Sequence, residues 1–141
     1  MGFAEAFKNR YRQAIKEGTA LVANHAAANH RFISRTGNLE RSIQSEETDL
    51  KGIVYLNDKQ APYGPAIHNG ARARVIVPRN RKALRWVAGG KFVFAKRVNW
   101  PGIKADPFLY QALDAERGEV AAVFDRYTDL AAEDIANMLV R

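Results

Sequence analysis

Two apolar stripes at helical spacing bracket this chain, and between them the pattern changes to short alternating runs separated by turn residues. Phe3, Phe7, Tyr11, Ala14, Ile15, Gly18, Leu21 and Val22 recur at steps of three and four, which is one face of an amphipathic helix. The alanine-rich residues 20–28 continue it with strong helix formers. The spacing predicts one long helix over about residues 3–30. At the other end, Asp106-Pro107 reads as an N-cap followed by proline at the first helical position. Phe108, Leu109, Ala112 and Leu113 then share a face, Gly118 is expected to interrupt the helix, and residues from Val120 through Phe124, Tyr127 and Ala131 to Leu139 form the last stripe.

The middle is built from strand and turn signals. Residues 34–38, Ser-Arg-Thr-Gly-Asn, are turn chemistry, and Asn38 is expected to cap a short helical turn reaching Ile43. Residues 52–56 read as a strand stopped by Asn57-Asp58. Residues 62–67 read as an extended piece that Pro62 and Pro65 confine to an edge or an irregular path. Asn69-Gly70 is a turn signal. Arg72, Arg74 and Ile76 alternate with Ala73, Val75 and Val77, predicting a mostly basic face and a mostly apolar one. Gly89-Gly90 predicts a hairpin over residues 83–98, in which one face of the Phe92-Val93-Phe94 run is expected to be buried. Strands grouped between helices predict an α+β fold: a long N-terminal helix and C-terminal helices packed on one face of a small antiparallel β-sheet. A single domain over residues 1–141 is expected, with a projecting basic loop or hairpin at about residues 70–98.

Charge is segregated along the chain. The net charge is +7. Residues 68–97 hold nine Lys or Arg and no acid, whereas residues 105–141 hold eight acids and three bases, a local net of −5. A basic middle and an acidic end suggest a nucleic-acid face or subunits that meet head to tail, beside the plainer reading of a solvated loop and a solvated helix. Arg72, Arg74, Arg79, Arg81, Lys82, Arg85 and Lys91 make up the candidate partner-facing or DNA-facing segment. Asp125, Asp129 and Glu133, four residues apart, make an acidic ridge suited to a partner.

Catalytic patterns are scarce. No cysteine is present, which removes disulfides, thiolate metal sites and cysteine nucleophiles and fits a reducing compartment. His25 and His30 lie about 140° apart around a helix and make poor co-ligands. His68 has no serine near it in sequence, and no G-x-S-x-G motif occurs. Glu46, Glu47 and Asp49 are expected in a solvated polar connector, and Gly89-Gly90-Lys91 lacks the Walker pattern. No metal, cofactor or small-molecule substrate is expected, and no enzyme activity. No apolar run approaches the roughly 18 residues of a membrane span, and residues 1–16 mix charges into their apolar positions, unlike a signal peptide.

Three patches in order carry a resemblance. Residues 36–43, Thr-Gly-Asn-Leu-Glu-Arg-Ser-Ile, are similar to a TG-x-L-x-x-S-I pattern; residues 61–70, which contain Tyr63 and end at Gly70, are similar to YA-x-x-x-E-x-G. Residues 100–109, with Pro101, Gly102, Pro107, Phe108 and Leu109, are similar to HPG-x-x-x-x-PFL ahead of an Ala-Leu pair, here Ala112-Leu113. Together they resemble the tail-completion or neck (head–tail joining, tail-terminator-like) proteins of tailed bacteriophages, over nearly the whole chain. Gly64, His68 and Trp100 depart from the pattern's usual alanine, acid and histidine. The resemblance implies a helix–sheet subunit of a homo-oligomeric ring, often six-fold, in the virion after assembly in the host cytoplasm. Its neighbours would be neck or connector and tail-tube proteins, with genomic DNA passing non-specifically through the lumen. The motif residues, Thr36 and Gly37 included, are turn and packing types. A small basic nucleic-acid-binding module is the alternative.

Overall fold

The computed structural model describes residues 2–48 and 50–140. The element order is α1 (Phe3–Ala28), α2 (Asn38–Ser42), β1 (Ile43–Thr48), β2 (Lys51–Leu56), α3 (Gly64–Asn69), β3 (Arg74–Ile76), β4 (Leu84–Ala88), β5 (Lys91–Ala95), β6 (Val98–Trp100) and α4 (Phe108–Leu139). The fold is α+β, as the grouping of strands between helices implied. Among the described residues all strand pairing is antiparallel, in three two-stranded ribbons: β1–β2, β3–β6 and β4–β5.

The long N-terminal stripe is one helix. Its buried positions, Ala6, Ala14, Ile15, Gly18, Thr19, Val22 and Ala26, keep three- and four-residue spacing. It stops where Asn29 turns extended, with the Asn29 backbone and side-chain amides both donating to the His25 carbonyl. The C-terminal stripe is also one helix, of 32 residues. Gly118 does not interrupt it: an exposed helical glycine costs about 1 kcal/mol, too little to break a helix held on both sides by Ala112 and Val123, which are buried.

α1 and α4 pack antiparallel, and the pairing is legible in their polar clasps. Arg10 reaches Asp134 at 2.7 Å, Glu17 reaches Arg126 and Tyr127, and His25 reaches Glu116 at 2.9 Å. The clasps recur about every two turns, so one edge of the pair is fastened along its length. Between them Tyr11 meets Phe124 edge-on at 5.3 Å. β1 and β2 pack on α1. Gly52 permits this: a Cβ there would stand 2.2 Å from Thr19 Oγ1.

The deepest core gathers Val22, Ala26, Leu39, Ala61, Phe108 and Ala112. Phe108 is the largest fully buried side chain, with Phe32 and His68 edge-on to it at 5.1 Å.

Several local expectations are corrected. Residues 62–67 are not extended; Gly64–Asn69 is the helix α3, and Pro65 sits in its first turn, where a missing N–H costs nothing. Glu46 and Glu47 lie on strand β1, not in a connector; Asp49 lies outside the described residues. Gly37, not Asn38, is the N-cap of α2. Pro107 occupies the N-cap of α4, and the Asp106 side chain caps nothing there. Its Oδ2 instead accepts the backbone N–H groups of Arg31 and Phe32 at 2.7 and 2.9 Å. Val98 leaves the predicted hairpin and pairs with Ile76 in β3–β6.

Candidate functional site

The Gly-Pro motifs meet in one backbone junction. Ala71 and Ile103 exchange both backbone hydrogen bonds at 2.9 Å. Gly70 (φ 79°) ends α3 against Ile103, and Gly102 (φ 83°) would place a Cβ 2.4 Å from the Ala71 carbonyl. Only glycine fits a left-handed backbone with another strand that close. Pro101 is exposed, Pro107 half-buried, Phe108 fills the core and Leu109 packs against it. Near α2, Thr36 Oγ1 accepts the Asn38 N–H at 3.3 Å, and the Tyr63 side chain stays exposed. These residues set turns, packing and chain crossing, and this junction is what carries the basic segment away from the core.

The basic segment stands open. Arg72, Arg74, Arg79, Arg81, Lys82, Arg85 and Lys91 are all exposed, and none forms an ion pair with a described residue. Two of them lie over rings: Arg74 over Trp100 at 5.1 Å, its partner across β3–β6, and Arg85 over Phe92 at 4.8 Å.

One expectation about faces fails here, in β4–β5, where no residue of either strand is buried. In β3 the apolar alternates are outward, with Val75 and Val77 more than half exposed. Ile76 faces inward and shares its side of the ribbon with Val98, Arg74 and Trp100. In β4–β5, Leu84, Val93 and Ala95 are half-buried. The other face, carrying Arg85, Val87, Phe92 and Phe94, is open, with Phe92 61% and Phe94 64% exposed. A two-stranded ribbon with no third strand or helix behind it has nothing to bury a second face. The alternation of the sequence could show that two faces exist, and nothing in it showed that no layer covers them.

On α4, Asp125, Asp129 and Glu133 are exposed, again with no ion pair among the described residues, although the Glu133 charge is felt by Arg10 on α1. Asp114 pairs along the helix with Arg117, and Glu116 and Asp134 pair across to α1 in the clasps. Hydrogen bonds from Arg126 and Tyr127 hold the Glu17 carboxyl below the usual carboxylate range. The hydrogen bond from Arg10 does the same for Asp134.

The histidines sit in packing and polar contacts. His68 is buried with its ring edge-on to Tyr110 at 4.8 Å, Nδ1 2.9 Å from Asn69 Oδ1 and no hydrogen-bond partner at Nε2. His30 stacks on Phe32 at 3.6 Å, with Nε2 3.1 Å from Glu40 Oε1. Burial pushes the Glu40 carboxyl up, but hydrogen bonds from Ser34 and its own backbone, with His30 beside it, outweigh this and hold it low. No three His, Asp or Glu among the described residues are grouped to hold a metal ion, and no described helix is long and apolar enough to cross a membrane.

An open apolar groove of about 360 Å³ runs between α1, β2 and α4, walled by Val22, Val54, Leu113, Val120 and Phe124 among others. Its residues belong to three distant segments, so only their helical periodicity, with Gly18 and Gly52 as gaps, hinted at it. Comparison with protein-family models, with curated proteins and with solved structures finds no match to this chain.

Proposed function

We propose that this chain is a structural, ring-forming subunit of the head–tail junction of a tailed phage, in a neck, tail-completion or tail-terminator role, without catalytic activity. The observation that carries the self-assembly part is the pair of unpartnered charged surfaces. The basic segment and the acidic ridge Asp125, Asp129, Glu133 form no ion pair with each other or with other described residues. Complementary patches at different places on one chain favour heterologous, head-to-tail contacts, which close into rings when the rotation permits. The phage assignment rests on the ordered resemblance of residues 36–43, 61–70 and 100–109. Packing and crossing roles for Gly70, Gly102 and Phe108 support it, because an assembly subunit needs a rigid platform for a projecting segment.

Mass photometry and negative-stain imaging test the reading. Discrete rings are expected at low ionic strength, weakened by salt because exposed charges are screened within about 10 Å at 0.1 M. Reversing the ridge (Asp125→Lys with Asp129→Lys) should shift the rings toward monomer. A wild-type chain that stays monomeric alone and joins neither purified tails nor capsids refutes it.

The alternative, a nucleic-acid-binding module, draws on the exposed Phe92 and Phe94 beside Arg85, since ring stacking and phosphate neutralisation combine in single-strand binders. It expects affinity for single-stranded DNA that falls steeply with salt. Absence of a gel shift at low salt ends it.

A further inference from the structure

We propose that the groove between α1, β2 and α4 is the receptor for the open face of β4–β5 from a second copy of this chain, with Phe92 and Phe94 as the inserted side chains. The inference rests on the self-assembly reading and names the contact that would build it. Three observations converge. First, the ribbon shows solvent a face on which Val87, Phe92 and Phe94 are each more than 60% exposed, with Arg85 beside them over the Phe92 ring. It makes no substantial packing contact with α1 or α4 of its own chain. Exposed apolar surface of this kind marks an interaction site, and rigid aromatics are the usual anchors of interfaces.

Second, the groove suits aromatic rings. A cavity of about 150 Å³ accommodates one benzene, so 360 Å³ has room for two. Its walls are aliphatic and aromatic, and Leu113, on its lip, is 49% exposed. Gly18 deepens it, since a side chain there would reach Val120.

Third, the charges match. Of the acids adjoining groove-lining positions on α4, Asp114 is tied to Arg117 at 3.0 Å, while Glu119 and Asp125 form no ion pair with a described residue. The α1 wall adds Lys16 and Glu17, the latter already paired with Arg126, and Lys51 adjoins Gly52. The incoming ribbon and its flanks carry only Lys and Arg. A second copy is therefore a complementary occupant in both shape and sign. Because groove and ribbon are different surfaces, each copy can give one and receive one.

The absence of native cysteine makes the contact directly measurable. Full-length Phe92→Cys and Leu113→Cys proteins are mixed under mild oxidation and compared with a mixture in which Glu5→Cys replaces Leu113→Cys. The expected result is a covalent dimer in the first mixture and not in the second. Assembly of Phe92→Ser/Phe94→Ser should be weakened about tenfold or more in Kd, with the thermal melt unchanged because both side chains are exposed. If wild type forms rings but the cross-link is absent and the double serine variant assembles normally, this contact is wrong while the self-assembly reading stands. If wild type never assembles, both fail. If the double variant assembles normally but loses binding to a single-stranded DNA oligomer, the face is a nucleic-acid platform and the proposal is overturned.

Discussion

Asp106 is the residue whose removal should cost this fold most for its size. It is buried, in the segment that enters α4, and ties three parts of the chain together. Its Oδ2 accepts the N–H groups of Arg31 at 2.7 Å and Phe32 at 2.9 Å, just past the end of α1, while Oδ1 faces Arg31 Nε at 3.5 Å. Its own N–H donates to the Ile67 carbonyl of α3. Asp106→Ala leaves the backbone bond in place and strips the shared acceptor from two N–H groups. A hydrogen bond to a charged group contributes about 1.5–3 kcal/mol, so the pair is worth about 3–5 kcal/mol once partial rehydration beside the exposed Arg31 is allowed for. Asp106→Asn keeps one oxygen on the same two donors and loses the charge, at a cost of about 1–2 kcal/mol. Urea unfolding followed by helical circular dichroism reads both, with an unchanged slope m confirming that only stability moved. The expected order is wild type, Asn, Ala. An alanine variant within about 1 kcal/mol of wild type, or an asparagine variant as damaged as alanine, refutes the reasoning.

Gly102→Ala should lose about 2 kcal/mol or more, because it forces a Cβ into a left-handed backbone and against the Ala71 carbonyl; a thermal melt within error of wild type would show that the 71–103 crossing yields easily. Gly118→Ala should do the reverse and stabilise by about 1 kcal/mol, since nothing lies within 4 Å of the added methyl and the helix gains propensity there. Carboxyls held low in the fold, Glu17, Glu40 and Asp134, should contribute to the acid limb of stability. With folded values below unfolded ones, the unfolded chain binds more protons, so their contribution is complete above the ordinary carboxylate range and is lost as pH falls through the folded values. Glu40→Gln should flatten that acid slope, and an identical slope in wild type and variant would exclude Glu40 from it.

Much of the architecture was legible in residue spacing. The stripe from Phe3 to Val22 is a helix, residues 52–56 fall in β2, and Gly89-Gly90 turns a hairpin, because helical periodicity and turn chemistry act within a few residues. The failures share a cause. Pro65 suits an extended edge and a helical first turn equally, and the packing of Ile67 and His68 near Phe108 selects the helix. Asp106-Pro107 has the form of a cap, yet two N–H groups some 75 residues away claim the carboxylate.

The sequence by itself determined the two long helical stripes, the Gly89-Gly90 turn and the segregation of basic and acidic residues, since these follow from local geometry and composition. Only the tertiary structure decided which side of each strand meets solvent. Burial of a face depends on whether another layer lies behind it, and among the described residues no helix or third strand packs substantially on β4–β5. The same long-range packing made the apolar groove, whose walls come together only when α1, β2 and α4 do.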